Sequence, residues 1–280
     1  MVSSGEDPLR ARGNEPATDS LDGPTTYDAF LGGQVHLRQP AKGRHRAGMD
    51  AVYLAAALPD QTSGHVVDLG SGVGTAGLCA AARLQTIHVT LVDVDPLALD
   101  LAQQNLNDPA NAAFAQRTKV MTADITAKGT LRHASGLTPG LADHVIMNPP
   151  YYESDRFRAS PQLARAGAHM LDARGLDPWT RTASDILGKG GSLTVIFRAD
   201  GLQELLNAMV GRFGAIDIIP LRPRAEAPAT RVLVRAVRGS KAPLQLLPGF
   251  VIHQDNGSDF TTQARSVMRD GQGLGLSPRR

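Results

Sequence analysis

The sequence predicts an α/β protein: a mostly parallel sheet with helices on both faces. Three observations predict it. From about residue 65 onward, short runs rich in β-branched residues alternate with helical stretches, which is the pattern of strand–helix–strand crossovers. A glycine-rich turn, "GSGVGTAG" at 70–77, joins the first of these strands to the first helix. Polar side chains stand at the ends of successive strand runs: Asp68, Asp93, Asp124 and Asn148. Open α/β sheets bind their ligands at such strand ends.

The elements follow in order. Residues 1–26 are rich in Gly, Pro, Ser, Asp and Arg without periodicity, the composition of a disordered tail. Residues 27–60 form an extension to the main domain, which spans 27–270. "DAFLGGQVHLRQP" suggests a hairpin, and "MDAVYLAAALP" a helix ended by Pro59. Strands are expected at 65–69, 87–92, 118–122 and 144–147. Helices are expected at about 75–84 and at 96–107, the second with Pro96 in its first turn. Residues 126–142 read as a loop and 151–176 as a long irregular segment. Asp177-Pro178 should cap a helix to about Leu187, and Gly190-Gly191 should turn into a strand at 192–197. A helix at 201–210, strands at 215–220 and 231–237, and a last strand (250–253) and helix (about 258–269) complete the domain. Residues 271–280 read as a flexible tail.

The chain has 280 residues, 42% hydrophobic and 20% charged, which is enough to bury a substantial core. No apolar run approaches the roughly 18 residues of a membrane span, and the N-terminus has no hydrophobic signal core. The single cysteine, Cys79, excludes a disulfide framework and a cysteine-based zinc site. A soluble cytoplasmic protein without a metal or membrane association is the expectation. Formal net charge is only +2, but the basic residues cluster. Arg38, Lys42, Arg44 and Arg46 have no acid between them. Arg222, Arg224, Arg231, Arg235, Arg238 and Lys241 share their segment with Glu226 alone. Either cluster suits solvated surface or nucleic-acid phosphates.

Within "VVDLGSGVGTAG", Gly72, Gly74 and Gly77 fit G-x-G-x-x-G, and Asp93 follows about 20 residues later, where a carboxylate can accept ribose hydroxyls. Binding of a nicotinamide dinucleotide therefore stays open. The wider spacing D-x-G-x-G-x-G, from Asp68 through Gly70, Gly72 and Gly74, resembles the first motif of S-adenosylmethionine (SAM) dependent methyltransferases. That resemblance implies a loop, Gly70, Ser71 and Gly72, whose backbone cups the cofactor's amino-acid part and sugar. In "LVDVDP", Asp93 would take the ribose diol and Val94 would lie against adenine. Asp124, with Ile125, would meet the adenine amino group. Asp95 suits a helix cap better than a ligand.

"DHVIMNPPYY" ends the fourth strand run with Asn148-Pro149-Pro150-Tyr151-Tyr152. Neither proline can donate to a ladder, and each restrains the residue before it, so the loop is rigid. An Asn oxygen and a proline carbonyl can each accept one N–H of a planar amine. That holds the nitrogen lone pair toward a methyl donor, so Asn148, Pro149, Pro150 and Tyr151 form the candidate catalytic set. Asn148 also borders the cofactor. Tyr151 can stack on a flat substrate.

N-P-P-Y downstream of this glycine loop resembles the amino-methyltransferases that modify adenine N6, guanine N2 or a glutamine side-chain amide. "FLGGQVHLRQPAKGRHRAGMDAVYLAAAL", "ARAGAHMLDARGLDPWTRTASDILGKGGSLTVIFRADGLQELL" and "LLPGFVIHQDNGSDFTTQARSVMR" extend the likeness. Over about 28–270 the chain is similar to the bacterial tRNA1(Val) adenine-N6 methyltransferase family, which modifies the adenosine 3′ of the anticodon. The family's G-T-D segment appears as Gly48-Met49-Asp50, with Met in place of Thr. The resemblance implies a Rossmann-like class I methyltransferase fold with a seven-stranded sheet, SAM as cofactor and tRNA as partner. It also implies Asp50 beside the cofactor, and Tyr151, Tyr152, Arg156, Arg158 and Arg165 over the substrate. Ribosomal-RNA guanine-N2 and release-factor glutamine methylation are the alternatives.

Overall fold

The computed structural model describes residues 24–41, 48–150 and 175–279. The chain opens with an antiparallel hairpin, β1 (Thr25–Phe30) and β2 (Val35–Pro40), followed by helix α1 (Met49–Ala56). Then come β3 (Gly64–Leu69), α2 (Thr75–Arg83), β4 (Ile87–Asp93), α3 (Pro96–Asn107), the single turn α4 (Ala112–Ala115), β5 (Thr118–Thr122), α5 (Gly129–Ala134) and β6 (Ala142–Met147). The second half holds α6 (Asp177–Ile186), β7 (Leu187–Arg198), α7 (Leu202–Met209), β8 (Phe213–Arg222), β9 (Arg231–Arg238), β10 (Gln245–Leu246), β11 (Phe250–Val251) and α8 (Thr262–Asp270).

The main sheet runs β10-β8-β9-β7-β6-β3-β4-β5, with β11 also on β8. β9 is antiparallel to both neighbours and every other pairing is parallel. The expected seven strands are present, and the two-residue strands β10 and β11 extend the β8 edge. The central strands are apolar on both faces, as a doubly covered sheet requires. Val66 and Val67 show why: successive residues point to opposite faces. Val66, Val89, Leu91 and Ile146 pack with α1, α2, α3 and α8. Val67, Val92, Val145 and Met147 pack with α6 and α7 through Trp179, Ala183, Ile186 and Leu205.

Two buried amides attach the hairpin to the domain. Asn105 accepts from Arg38 N at 2.7 Å and donates to its carbonyl. Asn111 does the same for His36, at 3.0 and 2.7 Å. These side chains stand in for the strand that β2 lacks on that edge, giving the N–H and C=O of His36 and Arg38 partners.

Three expectations need correction. Residues 126–142 contain helix α5, whose Arg132 is buried against Asp185 (3.0 Å) and the Ala127 carbonyl (2.9 Å); a fixed ion-pair partner far along the chain orders a segment with no periodic signal. Residues 271–279 do not read as a loose tail. Leu274 donates to the Ala56 carbonyl, Leu274 and Leu276 pack on the core, and Arg279 pairs with buried Asp217 at 2.9 Å. Asp177 is not the cap of α6: Leu176 occupies that position, and Asp177 lies in the first turn, paired with Arg212 at 2.8 Å and with Arg181.

Candidate active site

The register of β6, β3 and β4 builds the site. Met147 lies opposite Leu69, and Leu69 opposite Val92. The next residues, Asn148, Gly70 and Asp93, therefore stand side by side at the C-terminal edge of three adjacent strands. Neighbouring strands are about 4.8 Å apart, so the amide and the carboxylate flank the glycine loop at roughly 10 Å from each other.

Glycine is required along this loop. Gly70, Gly72 and Gly74 have φ of 70°, 55° and 92°, values that cost little only without a Cβ. A Cβ on Gly70 would also meet the Trp179 ring at 2.6 Å. Gly70 and Ser71 donate to the Val92 carbonyl at 2.8 and 2.9 Å. Asp93 takes three backbone N–H groups: Gly72 on one oxygen at 2.8 Å, and Val94 and Asp95 on the other at 2.8 and 3.0 Å. It thus ties the loop to the end of β4, and its carboxylate is held rigidly at the site edge. Val94, half-buried, follows it. Asp95 caps α3 by accepting from Leu97 at 3.0 Å.

Asp68 differs from Asp93. It is 2% exposed and accepts the Gly77 N–H at 2.9 Å, which clamps α2 onto β3. Burial pushes its carboxyl up to about 7; the Gly77 bond opposes this and the nearby Asp93 charge reinforces it. Asp124 is exposed and accepts the Thr126 N–H and hydroxyl, both at 2.8 Å, a local turn at the end of β5. Buried Ile125 follows and takes the Thr182 hydroxyl on its carbonyl at 2.6 Å. Ala123 donates to the Asp93 carbonyl at 2.9 Å, which brings the Asp124 turn next to Asp93.

Asn148 is partly exposed, Pro149 buried and Pro150 half-buried. Asp50, in the first turn of α1, pairs with Arg231 at the start of β9 at 2.8 Å. Tyr151, Tyr152, Arg156, Arg158 and Arg165 lie outside the described residues, as do Lys42, Arg44 and Arg46. The basic run 222–241 does not form one surface. Arg235 is buried and donates to the Ser277 carbonyl, Arg231 is paired, and Arg222 and Arg224 lie at the C-terminal edge.

The site fits SAM on observations of its own. Among the described residues, the buried Ser71 and Thr75 hydroxyls in and beside the loop have no hydrogen-bond partner, and nothing fills the space where a Gly72 side chain would stand. Ser71, the loop backbone and Asp93 supply donors and acceptors for an amino acid and a sugar. Two contributors escaped sequence inspection. Trp179 packs beneath Gly70, and Asn105 donates to the Val73 carbonyl at 3.2 Å. A lone tryptophan after Asp-Pro was the only sequence signal for the first.

The profile of the methyltransferase small domain family matches residues 46–218. Among curated proteins, the chain is 27% identical over 190 residues to the tRNA1(Val) (adenine(37)-N6)-methyltransferase of Shewanella loihica, covering 68% of this chain and 69% of that protein. It is 31% identical over 117 residues to the protein of that description from a Flavobacteriaceae bacterium, and spans 46% of its length. For the one from Porphyromonas gingivalis the share is 61%. Among solved structures, one described as a predicted O-methyltransferase from Agrobacterium tumefaciens superposes with a TM-score of 0.70 at 33% identity, over 81% of this chain and 98% of that one.

Proposed function

The chain belongs to the methyltransferase small domain family, and from that premise we propose that it methylates adenine N6 in a tRNA anticodon loop with SAM as the donor. One observation carries the proposal: Asn148, the glycine loop and Asp93 end three neighbouring strands. On this reading Asn148 is the acceptor for the amine, beside a site suited to SAM. The curated relatives described as tRNA1(Val) (adenine(37)-N6)-methyltransferases support the substrate.

SAM, when bound by Ser71, the Gly70–Gly72 backbone, Asp93, Val94, Asp124 and Ile125, supplies an electrophilic methyl group. The residues of the chain do the rest. The Asn148 side-chain oxygen and the Pro149 carbonyl each accept one N–H of the exocyclic amine. That fixes the nitrogen and turns its lone pair toward the methyl. The two prolines keep both acceptors from relaxing, so orientation is set before the reaction. Tyr151 stacks on the base, worth roughly 1–3 kcal/mol by analogy with single-strand recognition. An unpaired loop adenine reaches such a site without the cost of opening a duplex. On this assignment the protein works in the cytoplasm; among the described residues no helix is long and apolar enough to cross a membrane.

The test is a labelled-methyl assay that offers tRNA, ribosomal RNA, duplex DNA and a release-factor protein side by side, followed by nucleoside mass spectrometry. N6-methyladenosine in tRNA is expected. Label in the protein alone, or N2-methylguanosine in ribosomal RNA, would refute the substrate.

A further inference from the structure

Three adjacent strands of the second half of the sheet carry arginine at the edge that holds Asn148. Arg198 ends β7 and lies opposite Arg231 at the start of β9; Arg231 lies opposite Leu221, the neighbour of Arg222 at the end of β8. Guanidinium groups lined up in this way repel one another unless each meets a negative charge. Two of them do: Arg231 pairs with Asp50 at 2.8 Å and Arg198 with Asp200 at 3.5 Å. Arg222 makes no ion pair among the described residues. One of its terminal nitrogens donates to the Ala225 carbonyl at 3.0 Å, while its Nε is buried with no partner. Bracing the loop after β8 explains the first contact, and the Nε packs against Gly249; the charge of the guanidinium has no carboxylate partner among the described residues.

Arg222 lines a surface cavity of about 540 Å³ with Glu226, Pro220, Pro228, Ala229 and Leu247. It is an open surface groove, not an enclosed pocket. The walls are mostly apolar and the charged groups few. The cavity is three strand spacings from β6 and further out along β8, on the order of 15–20 Å from Asn148. Alongside it, Arg224 donates to the Gly257 carbonyl at 2.8 Å, which holds a loop carrying the stacked rings of His253 and Phe260.

We propose that this cavity is a second RNA-contact site, in which Arg222 donates to a phosphodiester of a nucleotide flanking the methylated one. The proposal rests on the RNA-methyltransferase function above and adds a place where the substrate is held away from the reacting base. The ligand chemistry follows from the donor: a planar guanidinium with no ion-pair partner among the described residues suits phosphate oxygens. The apolar wall suits the attached nucleoside, and Glu226 at the rim can accept a sugar hydroxyl.

The experiment uses a fluorescently labelled stem-loop RNA, with binding followed by anisotropy across a salt series. Arg222→Gln should weaken binding several-fold and flatten the slope of log affinity against log salt by about 0.7, the value for one single-strand phosphate contact. Arg222→Lys should keep most of the slope. Lys241→Gln, the same charge change beside Gly214 at the opposite end of β8, should leave binding unchanged. SAM affinity by calorimetry should be the same in all of them. An Arg222→Gln protein that binds RNA with wild-type affinity and slope overturns the proposal. If that variant does not fold, Ala229→Glu keeps Arg222 and puts a negative charge in the cavity; unchanged RNA affinity there also overturns it. Methyl transfer to tRNA by the wild type with no effect at Arg222 defeats this proposal alone, whereas transfer only to a release-factor protein defeats the substrate assignment as well.

Discussion

The half of the sheet that ends in carboxylates and the half that ends in arginines are stabilised in opposite ways. At the ends of β3 and β4, polar groups are satisfied by backbone N–H groups no more than 21 residues away: Asp93 takes those of Gly72, Val94 and Asp95, and Asp68 that of Gly77. At the ends of β7 and β9, Arg198 is matched by nearby Asp200, but Arg231 reaches Asp50, 181 residues away. The glycine-loop half is thus held mainly by its own backbone. The other half joins distant segments, and one cation in it, Arg222, makes no ion pair among the described residues. On the proposed function, preorganisation suits the side that would hold a small, constant ligand, and charge held at an edge suits the side that would meet a large polyanion.

Removing Asn148 should give the largest effect and separate the two halves most sharply. Asn148→Ala is expected to lower turnover by about 10²–10³, the usual cost of losing one oriented polar group in a transition state, while SAM affinity stays near wild type. Single-turnover methyl transfer and calorimetry read the two quantities separately. Near-normal turnover would mean that the amide is not the acceptor of the amine protons.

Asp93→Ala comes next and should act on the other half. It frees three backbone donors at once, and hydrogen bonds to a charged group contribute about 1.5–3 kcal/mol each. A lower melting temperature and a large loss of SAM affinity are expected, with RNA binding by anisotropy unaffected. If SAM binding survived, Asp93 would be a loop brace only.

A smaller effect is expected at Asp68, as a dependence on pH. Its carboxyl is raised from 3.8 to about 7 in the folded protein. Between those values the folded state keeps a proton that the unfolded chain releases. Stability therefore falls as pH rises from about 4 through about 7. Asp68→Asn cannot ionise, so its melting temperature relative to wild type should rise across that window, by the equivalent of a few kcal/mol at most. A constant difference from pH 4 to 8 would show that Asp68 is ionised throughout.

Asp50→Asn should change least. Its pair with Arg231 is partly solvated, with side-chain exposures of 28% and 34%, and such pairs contribute no more than about 1 kcal/mol. A small shift in melting temperature and a few-fold change in SAM affinity are expected. A tenfold or greater loss of SAM affinity would place Asp50 in direct contact with the cofactor and blur the division between the halves.

Much of the fold and of the layout of the candidate site was legible in the sequence, because the signals are short-range. The helix over Pro96–Asn107 and the strand over Thr118–Thr122 have the expected bounds, since proline placement and β-branched runs act within a few residues. The strand-end positions of Asp68, Gly70, Asp93 and Asn148 followed from spacing alone, because a parallel sheet brings the ends of its strands to one edge. Tertiary structure alone decided the rest. It ordered α5 through the Arg132–Asp185 pair, drew 271–279 onto the core, and placed Trp179 beneath Gly70. It also divided one basic stretch among a buried arginine, a paired arginine and one at a surface groove that makes no ion pair among the described residues. Whether a charge is buried, neutralised or left available depends on which distant residues the fold brings within a few ångströms, and linear spacing carries no record of that.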